Sequence, residues 1–203
     1  MSSKTTLFIV RHGLTEWNVQ HRLQGHKNSP LTSTGKRQAL EVKKRLADLE
    51  IHKVYVSPLE RALETLQLII ADRDVEIVKM TGLKEISLGP WEGKTKKETQ
   101  QSHPLEYGQF WKKQNDFYLQ GAETYQQLQD RVVKTIQYIF SMEKNSNVLV
   151  VSHWIAIKVA IAYFTSTPLA QLSDIIDPGN GEVLTLSNEG NRVHVTGQRY
   201  KIR

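Results

Sequence analysis

The chain has 203 residues, a length that predicts one domain over 1–203 with a core large enough to need no covalent staple. It contains no cysteine, which excludes disulfide frameworks, thiolate metal sites and cysteine nucleophiles. A formal net charge of +6 suits attraction of an anionic small-molecule substrate rather than nucleic acid, because the basic pairs Lys43-Lys44, Lys96-Lys97 and Lys112-Lys113 are scattered and form no stripe.

Leu7 to Val10 is a short apolar, β-branched run and reads as a strand buried on both faces; it is far too short for a signal-peptide apolar region. Gly35 to Leu49 places Ala39, Val42, Leu46 and Leu49 on one helical face. A second strand, Val54 to Val56, ends at Ser57-Pro58, and Leu59 to Ala71 repeats the helical spacing through Ala62, Leu66, Ile69 and Ile70. Val75 to Val78 is a further strand. Leu83 to Met142 contains no clear strand, only helical segments such as Thr124 to Met142 with Leu128, Val132, Ile136 and Ile139 in register, and is expected to form a helical lid inserted in the domain. Val148 to Val151 is the next strand, ending at Ser152-His153. The most apolar stretch, Trp154 to Phe164, is interrupted by Lys158 and is about half the length of a bilayer span, so no membrane partner and a cytoplasmic location are expected. Glu182 to Leu186 and Arg192 to Thr196, around Asn188-Glu189-Gly190, predict a terminal hairpin. The fold class is therefore α/β: a three-layer sandwich with a mostly parallel sheet, one antiparallel strand and helices on both faces, plus the lid.

Ligands of open α/β sheets bind at the carboxyl ends of the strands. Three strand ends deliver cations or imidazoles: Arg11-His12-Gly13 with Thr15, Glu16 and Asn18; Ser57-Pro58 leading to Arg61; and Ser152-His153. Guanidinium forks match phosphoryl oxygens, imidazole can be nucleophile, base or donor, and backbone amides around Gly13 could add donors to the same oxygens. His21, His26, His52, His103 and His194 lack metal-ligand spacing and read as surface residues; no metal is expected.

In these residues the chain resembles the histidine phosphatase superfamily, the phosphoglycerate-mutase-like clan, in its compact phosphatase-type branch. Arg11-His12-Gly13 with Thr15 and Asn18 resembles its nucleophile motif, followed by Arg22, Gln24-Gly25, Pro30-Leu31-Thr32, Gly35 and Gln38-Ala39. Ser57 to Ala62 with Thr65, Leu83-Lys84-Glu85 with Gly89 and Trp91-Glu92-Gly93, Gly121 to Thr124 with Arg131, and Val151-Ser152-His153 resemble the later motifs. The resemblance implies that His12 is a nucleophile forming a phosphohistidine, that Arg11, Arg61 and His153 hold the phosphoryl group, and that Glu85 is the proton donor. It implies no metal and no cofactor, the arginines supplying the charge. Gly13, Thr15, Asn18, Gln24, Gly25 and Trp154 are expected to contact substrate. Trp154 stands where the family usually has glycine, so an indole is expected to narrow or wall the pocket. Asn28-Ser29 replaces a usual aspartate.

The expected activity is metal-independent hydrolysis of a small phosphorylated metabolite. Phosphoglycerate mutase-type transfer is the alternative within the family, and phospho-ligand binding without turnover is the alternative of another class. Tyr107, Phe110, Trp111, Phe117 and Tyr118 either line the substrate pocket or pack the lid onto the core. Lys94, Lys96 and Lys97 either favour polyanionic substrates or are simply solvated.

Overall fold

Strands made of apolar runs need cover on both faces, and the architecture supplies it. The computed structural model describes residues 4–71, 73–189 and 192–196. Its strands are β1 (Lys4–Arg11), β2 (Lys53–Val56), β3 (Glu76–Lys79), β4 (Asn147–Ser152), β5 (Val183–Glu189) and β6 (Arg192–Thr196), joined in one sheet of order β3-β2-β4-β1-β5-β6. β3, β2, β4 and β1 pair in parallel, whereas β5 is antiparallel to both β1 and β6 and is the reversed strand of the sheet.

The helices are α1 (Glu16–Val19), α2 (Ser33–Arg45), α3 (Glu60–Ile70), α4 (Lys96–Ser102), α5 (Pro104–Lys112), α6 (Tyr125–Met142) and α7 (Trp154–Phe164). Strand side chains alternate between two cores. Val10, Leu149, Val151, Val54 and Val56 pack with Ala39 and Val42 of α2 and Ala62, Leu66 and Ile69 of α3. Leu7, Ile9, Val148 and Val150 pack on the other face with α6 and α7. Every residue of α7 from Ile155 to Ala162 is buried, which explains an apolar sequence with no polar stripe: the helix lies inside, not on the surface. Threonine side chains start several helices. Thr32 accepts from the Gly35 N–H, and Thr15, Thr95 and Thr124 form capping boxes with Asn18, Glu98 and Gln127.

Two expectations need correction. Asn188 and Glu189 belong to β5, paired with Thr5 and Lys4, instead of forming a turn; the Asn188 Oδ1 accepts from the Thr5 N–H at 2.8 Å and extends the ladder. Gly190 lies outside the described residues. The helical part of 83–142 also divides. In α6, Leu128, Val132, Ile136 and Ile139 are buried in the same core as α7, and the Gln129 Nε2 donates to Val159 O at 3.0 Å. An amphipathic helix of 18 residues buries its long apolar stripe in the core, so the part of the insertion that borders the strand ends is the segment before α6. Among the described residues no helix is long and apolar enough to cross a membrane.

Candidate active site

Parallel register sets the carboxyl ends of β2, β4 and β1 side by side. Arg11 pairs with Ser152 and Val56 with Val151. The ladder continues past both: the His12 N–H donates to Ser152 O (3.1 Å) and the Ser57 N–H to Val151 O (3.0 Å). His12 and His153 consequently meet with ring centroids 5.2 Å apart.

His12 is 3% exposed. Its Nδ1 lies 2.8 Å from Gly13 O, and because a carbonyl only accepts, the Nδ1 carries the proton and the Nε2 keeps its lone pair. Burial pushes the His12 pKa well below the ordinary imidazole value, and Arg61 and Arg11 push it the same way against the Gly13 hydrogen bond. His153, fully buried, pairs its Nε2 with the Ser57 hydroxyl at 2.6 Å, and its Nδ1 has no partner among the described residues. Its pKa is also well below the ordinary value, from burial first and then Arg61, His12 and the other arginines.

Both arginines are pinned through their outer nitrogens. Arg61, 1% exposed, donates from Nη1 to Lys27 O (2.7 Å) and Asn28 Oδ1 (3.2 Å) and from Nη2 to Gly25 O (2.8 Å). Arg11 donates from Nη1 to Pro178 O (2.9 Å). Each leaves a buried Nε without an acceptor among the described residues. Burial brings Arg61 down to about 10, with Glu85 and Glu92 opposing, so it is still cationic at neutral pH. Burial lowers Arg11 as well, opposed by Glu85, Asp177 and Glu182.

The Glu85 carboxylate sits on the N-terminus of α7. Its oxygens accept from the backbone N–H groups of Ile155 (3.1 Å), Ala156 (3.1 Å) and Ile86 (3.0 Å), so a side chain from another segment satisfies helix donors that would otherwise be orphaned. Arg11, His12, Arg61, Glu85 and Trp154 all line one cavity of about 320 Å³.

The residues expected to contact substrate separate into two groups. Asn18, Gln24, Gly25 and Trp154 line the cavity, and the buried Gln24 Oε1 has no partner among the described residues. Thr15 is fully buried beneath them, accepting from Gln24 Nε2 at 2.9 Å. Gly13 departs from expectation: its N–H donates to the Thr65 hydroxyl at 3.0 Å and is not free for a phosphoryl oxygen. Its lack of a side chain serves packing instead, since a Cβ there would lie 2.5 Å from Gly35 O. The Trp154 indole N–H donates to Asp177 Oδ1, and its ring lies 5.9 Å from that of Trp111.

Several contributors were not legible beforehand. Asn180 donates from Nδ2 to His12 O at 2.8 Å, and the Gly181 N–H donates to Arg11 O at 3.1 Å. The signal was the turn-forming Pro178-Gly179-Asn180-Gly181 ahead of a reversed strand, because β5 starts beside the end of β1. His21 is exposed, as expected, and lies at the lining of the cavity; His26 is half-buried, its Nε2 donating to Glu85 O at 2.9 Å. Lys96 and Trp111 also line the cavity, with the Lys96 Nζ 4.7 Å from the indole centroid. Of the aromatic residues, Phe110 lines the cavity while packing with Phe117 around the fully buried Trp91, and Tyr118 is exposed. Among the described residues no cluster of three or more His, Cys, Asp or Glu is arranged to hold a metal ion.

Comparison with known proteins identifies the family of the chain. The family profile described as histidine phosphatase superfamily (branch 1) matches residues 7–199. The solved structure of Bacillus stearothermophilus YhfR superimposes with a TM-score of 0.93 at 35% identity, covering 96% of each chain. An Arabidopsis thaliana protein named metal-independent phosphoserine phosphatase is 36% identical over 156 residues, 75% of this chain and 65% of that protein. A Salmonella choleraesuis protein named probable phosphoglycerate mutase GpmB is 31% identical over 167 residues, 80% of this chain and 75% of that protein.

Proposed function

Since the chain belongs to the histidine phosphatase superfamily, branch 1, we propose that it is a metal-independent phosphomonoesterase acting on a small phosphorylated metabolite through a phosphohistidine at His12. The observation that carries this reading is the His12 ring, neutral through burial and oriented by its Nδ1–H to Gly13 O.

The His12 Nε2 attacks phosphorus, and the P–O bond to the leaving group breaks. Protonated Glu85 passes its proton to that oxygen, so the alcohol leaves neutral. Water then attacks phosphorus, Glu85 takes its proton, the P–N bond breaks and inorganic phosphate departs. Arg11, Arg61 and His153 stabilise the charge spread over the equatorial oxygens in both displacements, which is most of what phosphoryl transfer asks of a protein. Metal-independent hydrolysis is supported by the name of the Arabidopsis relative, and phosphoryl exchange by that of the Salmonella one.

The test is steady-state phosphate release from a phosphomonoester panel in the presence of a chelator, comparing wild type with His12→Ala and resolving product isomers from 3-phosphoglycerate. Release by the wild type and its loss in the variant is the expected result. Full turnover by His12→Ala overturns the covalent mechanism, isomer exchange without release makes the protein a mutase, and silence on every substrate leaves a binding protein.

A further inference from the structure

Ser57 is a fully buried polar side chain that the proposed mechanism does not use. It follows β2 as His153 follows β4, and the parallel pairing of those strands sets the two residues side by side. The Ser57 N–H donates to Val151 O at 3.0 Å, and its hydroxyl meets His153 Nε2 at 2.6 Å.

Donors and acceptors leave one arrangement of the protons in this pair. The Ser57 oxygen receives the Leu59 N–H at 3.4 Å, and among the described residues the only acceptor for its own proton is His153 Nε2. Were Nε2 the donor instead, the hydroxyl proton would be buried with nothing to receive it, a penalty that native interiors rarely carry. Nε2 therefore accepts. The His153 ring is neutral, since burial first and then Arg61 and its neighbours hold it well below the ordinary imidazole value. Its single proton is on Nδ1. That nitrogen has no partner among the described residues, which makes the Nδ1–H an unspent buried donor beside the His12 ring, 5.2 Å away between centroids.

We infer that Ser57 is a positioning residue, whose hydroxyl fixes the tautomer of His153 so that a neutral imidazole presents Nδ1–H, and not a lone pair, to an oxygen of the phosphoryl group. The two histidines are then set in opposite senses. His12 spends its Nδ1 proton on Gly13 O and keeps the Nε2 lone pair for phosphorus. His153 fills its Nε2 lone pair with the Ser57 proton and keeps Nδ1–H for oxygen. In the other tautomer a lone pair on Nδ1 would repel the phosphoryl oxygen, so the loss of Ser57 falls on substrate binding and on the charged transition state together.

The contact with a phosphoryl group rests on the proposed function, whereas the tautomer does not, and the experiment reads them separately. Nitrogen-15 spectra of the labelled protein at neutral pH distinguish protonated from unprotonated ring nitrogens, with His153 assigned by its absence from His153→Gln. In wild type Nδ1 is expected to be protonated and Nε2 not, and inorganic phosphate to shift the Nδ1 resonance. Ser57→Ala is expected to divide the proton between the two nitrogens, and Ser57→Thr, which keeps the hydroxyl, to hold it on Nδ1. A wild-type ring protonated on Nε2, or a Ser57→Ala ring still protonated on Nδ1 alone, overturns the inference. An Nδ1 resonance indifferent to phosphate overturns the donor role. On the phosphomonoester turned over best, Ser57→Ala is expected to lower kcat/KM ~10- to 100-fold, the size of one hydrogen bond to a charged group, and Ser57→Thr to regain most of it. Wild-type rates in Ser57→Ala, or a threonine variant no better than alanine, overturn the positioning role. Should wild type hydrolyse nothing while its Nδ1–H still responds to phosphate, the proposed function fails and the assignment of Ser57 stands.

Discussion

His12 can attack only through an unprotonated nitrogen, and its surroundings provide one at a measurable cost to acid stability. His12 and His153 are both held well below the ordinary imidazole value, mainly by burial, while in the unfolded chain each titrates near about 6.5. The unfolded state therefore binds more protons below that pH. Stability is fully present above it and is lost as pH falls, by up to ~1.4 kcal/mol per pH unit for each histidine. Urea midpoints are expected to drop between pH 7.5 and 5.5, and to drop less in His12→Asn; an equal drop would place the effect elsewhere. Glu85 joins chemistry and structure in the same way. Glu85→Gln replaces one accepting oxygen by an NH2 that faces a backbone N–H, so about 1 kcal/mol of helix-terminus stabilisation should go. The same variant should lose far more turnover on an alkyl phosphate than on p-nitrophenyl phosphate, whose leaving group needs no proton; equal losses would remove Glu85 from the acid role.

Between elements, backbone meets backbone where the turn after β1 reaches the first turn of α2. A Cβ on Gly35 would lie 2.1 Å from Leu14 O, too near for any side chain, so backbone packs directly on backbone beside His12. Alanine is the better helix former by about 1 kcal/mol, yet Gly35→Ala should destabilise by roughly 1–3 kcal/mol through overpacking and reduce kcat by shifting the His12 turn; urea denaturation and steady-state assays read the two effects. Elements of this kind mark the limit of what the sequence discloses. β1, β2 and β4 were legible because strands buried on both faces are continuously apolar, and their ends exposed Arg11, His12 and His153 to view. The packing partner of Gly13 was hidden because it comes from another segment 22 positions on. So was Asn180, whose contact with His12 depends on β5 being reversed and starting where β1 ends. α6 has a lid-like place in the chain, but its long buried stripe makes it part of the core.

Across the whole molecule, one side chain ties α6 to the segment that carries Glu85. Arg131, on α6, donates from Nη1 to Gly82 O (3.0 Å) and Lys84 O (2.8 Å) and from Nη2 to Glu85 O (2.7 Å). It also forms a forked pair with Glu123, Nε to Oε1 at 2.6 Å and Nη2 to Oε2 at 2.8 Å. Glu123 in turn accepts from the Ser87 N–H (3.2 Å), so residues 82–87, which carry Glu85, are clamped between the core helix and the loop before it. Arg131→Met keeps the apolar stem but takes the donor from the Gly82 and Lys84 carbonyls and the charge partner from Glu123, while Glu85 O keeps its bond from His26, and should cost roughly 3–5 kcal/mol. Arg131→Lys should recover only part of this, because a single ammonium cannot reproduce the planar fork. A loss of stability alone would not distinguish a structural brace from a residue that positions Glu85, but leaving-group dependence does. If Arg131 acts through Glu85, Arg131→Lys should lower kcat on an alkyl phosphate more than on p-nitrophenyl phosphate. Adding Arg131→Lys to Glu85→Gln should then cause little further loss on the alkyl substrate, since the interaction it supports is already gone. Additive losses in that cycle, with both substrates affected alike, would make Arg131 a brace for the fold and leave the placement of Glu85 to α7 alone.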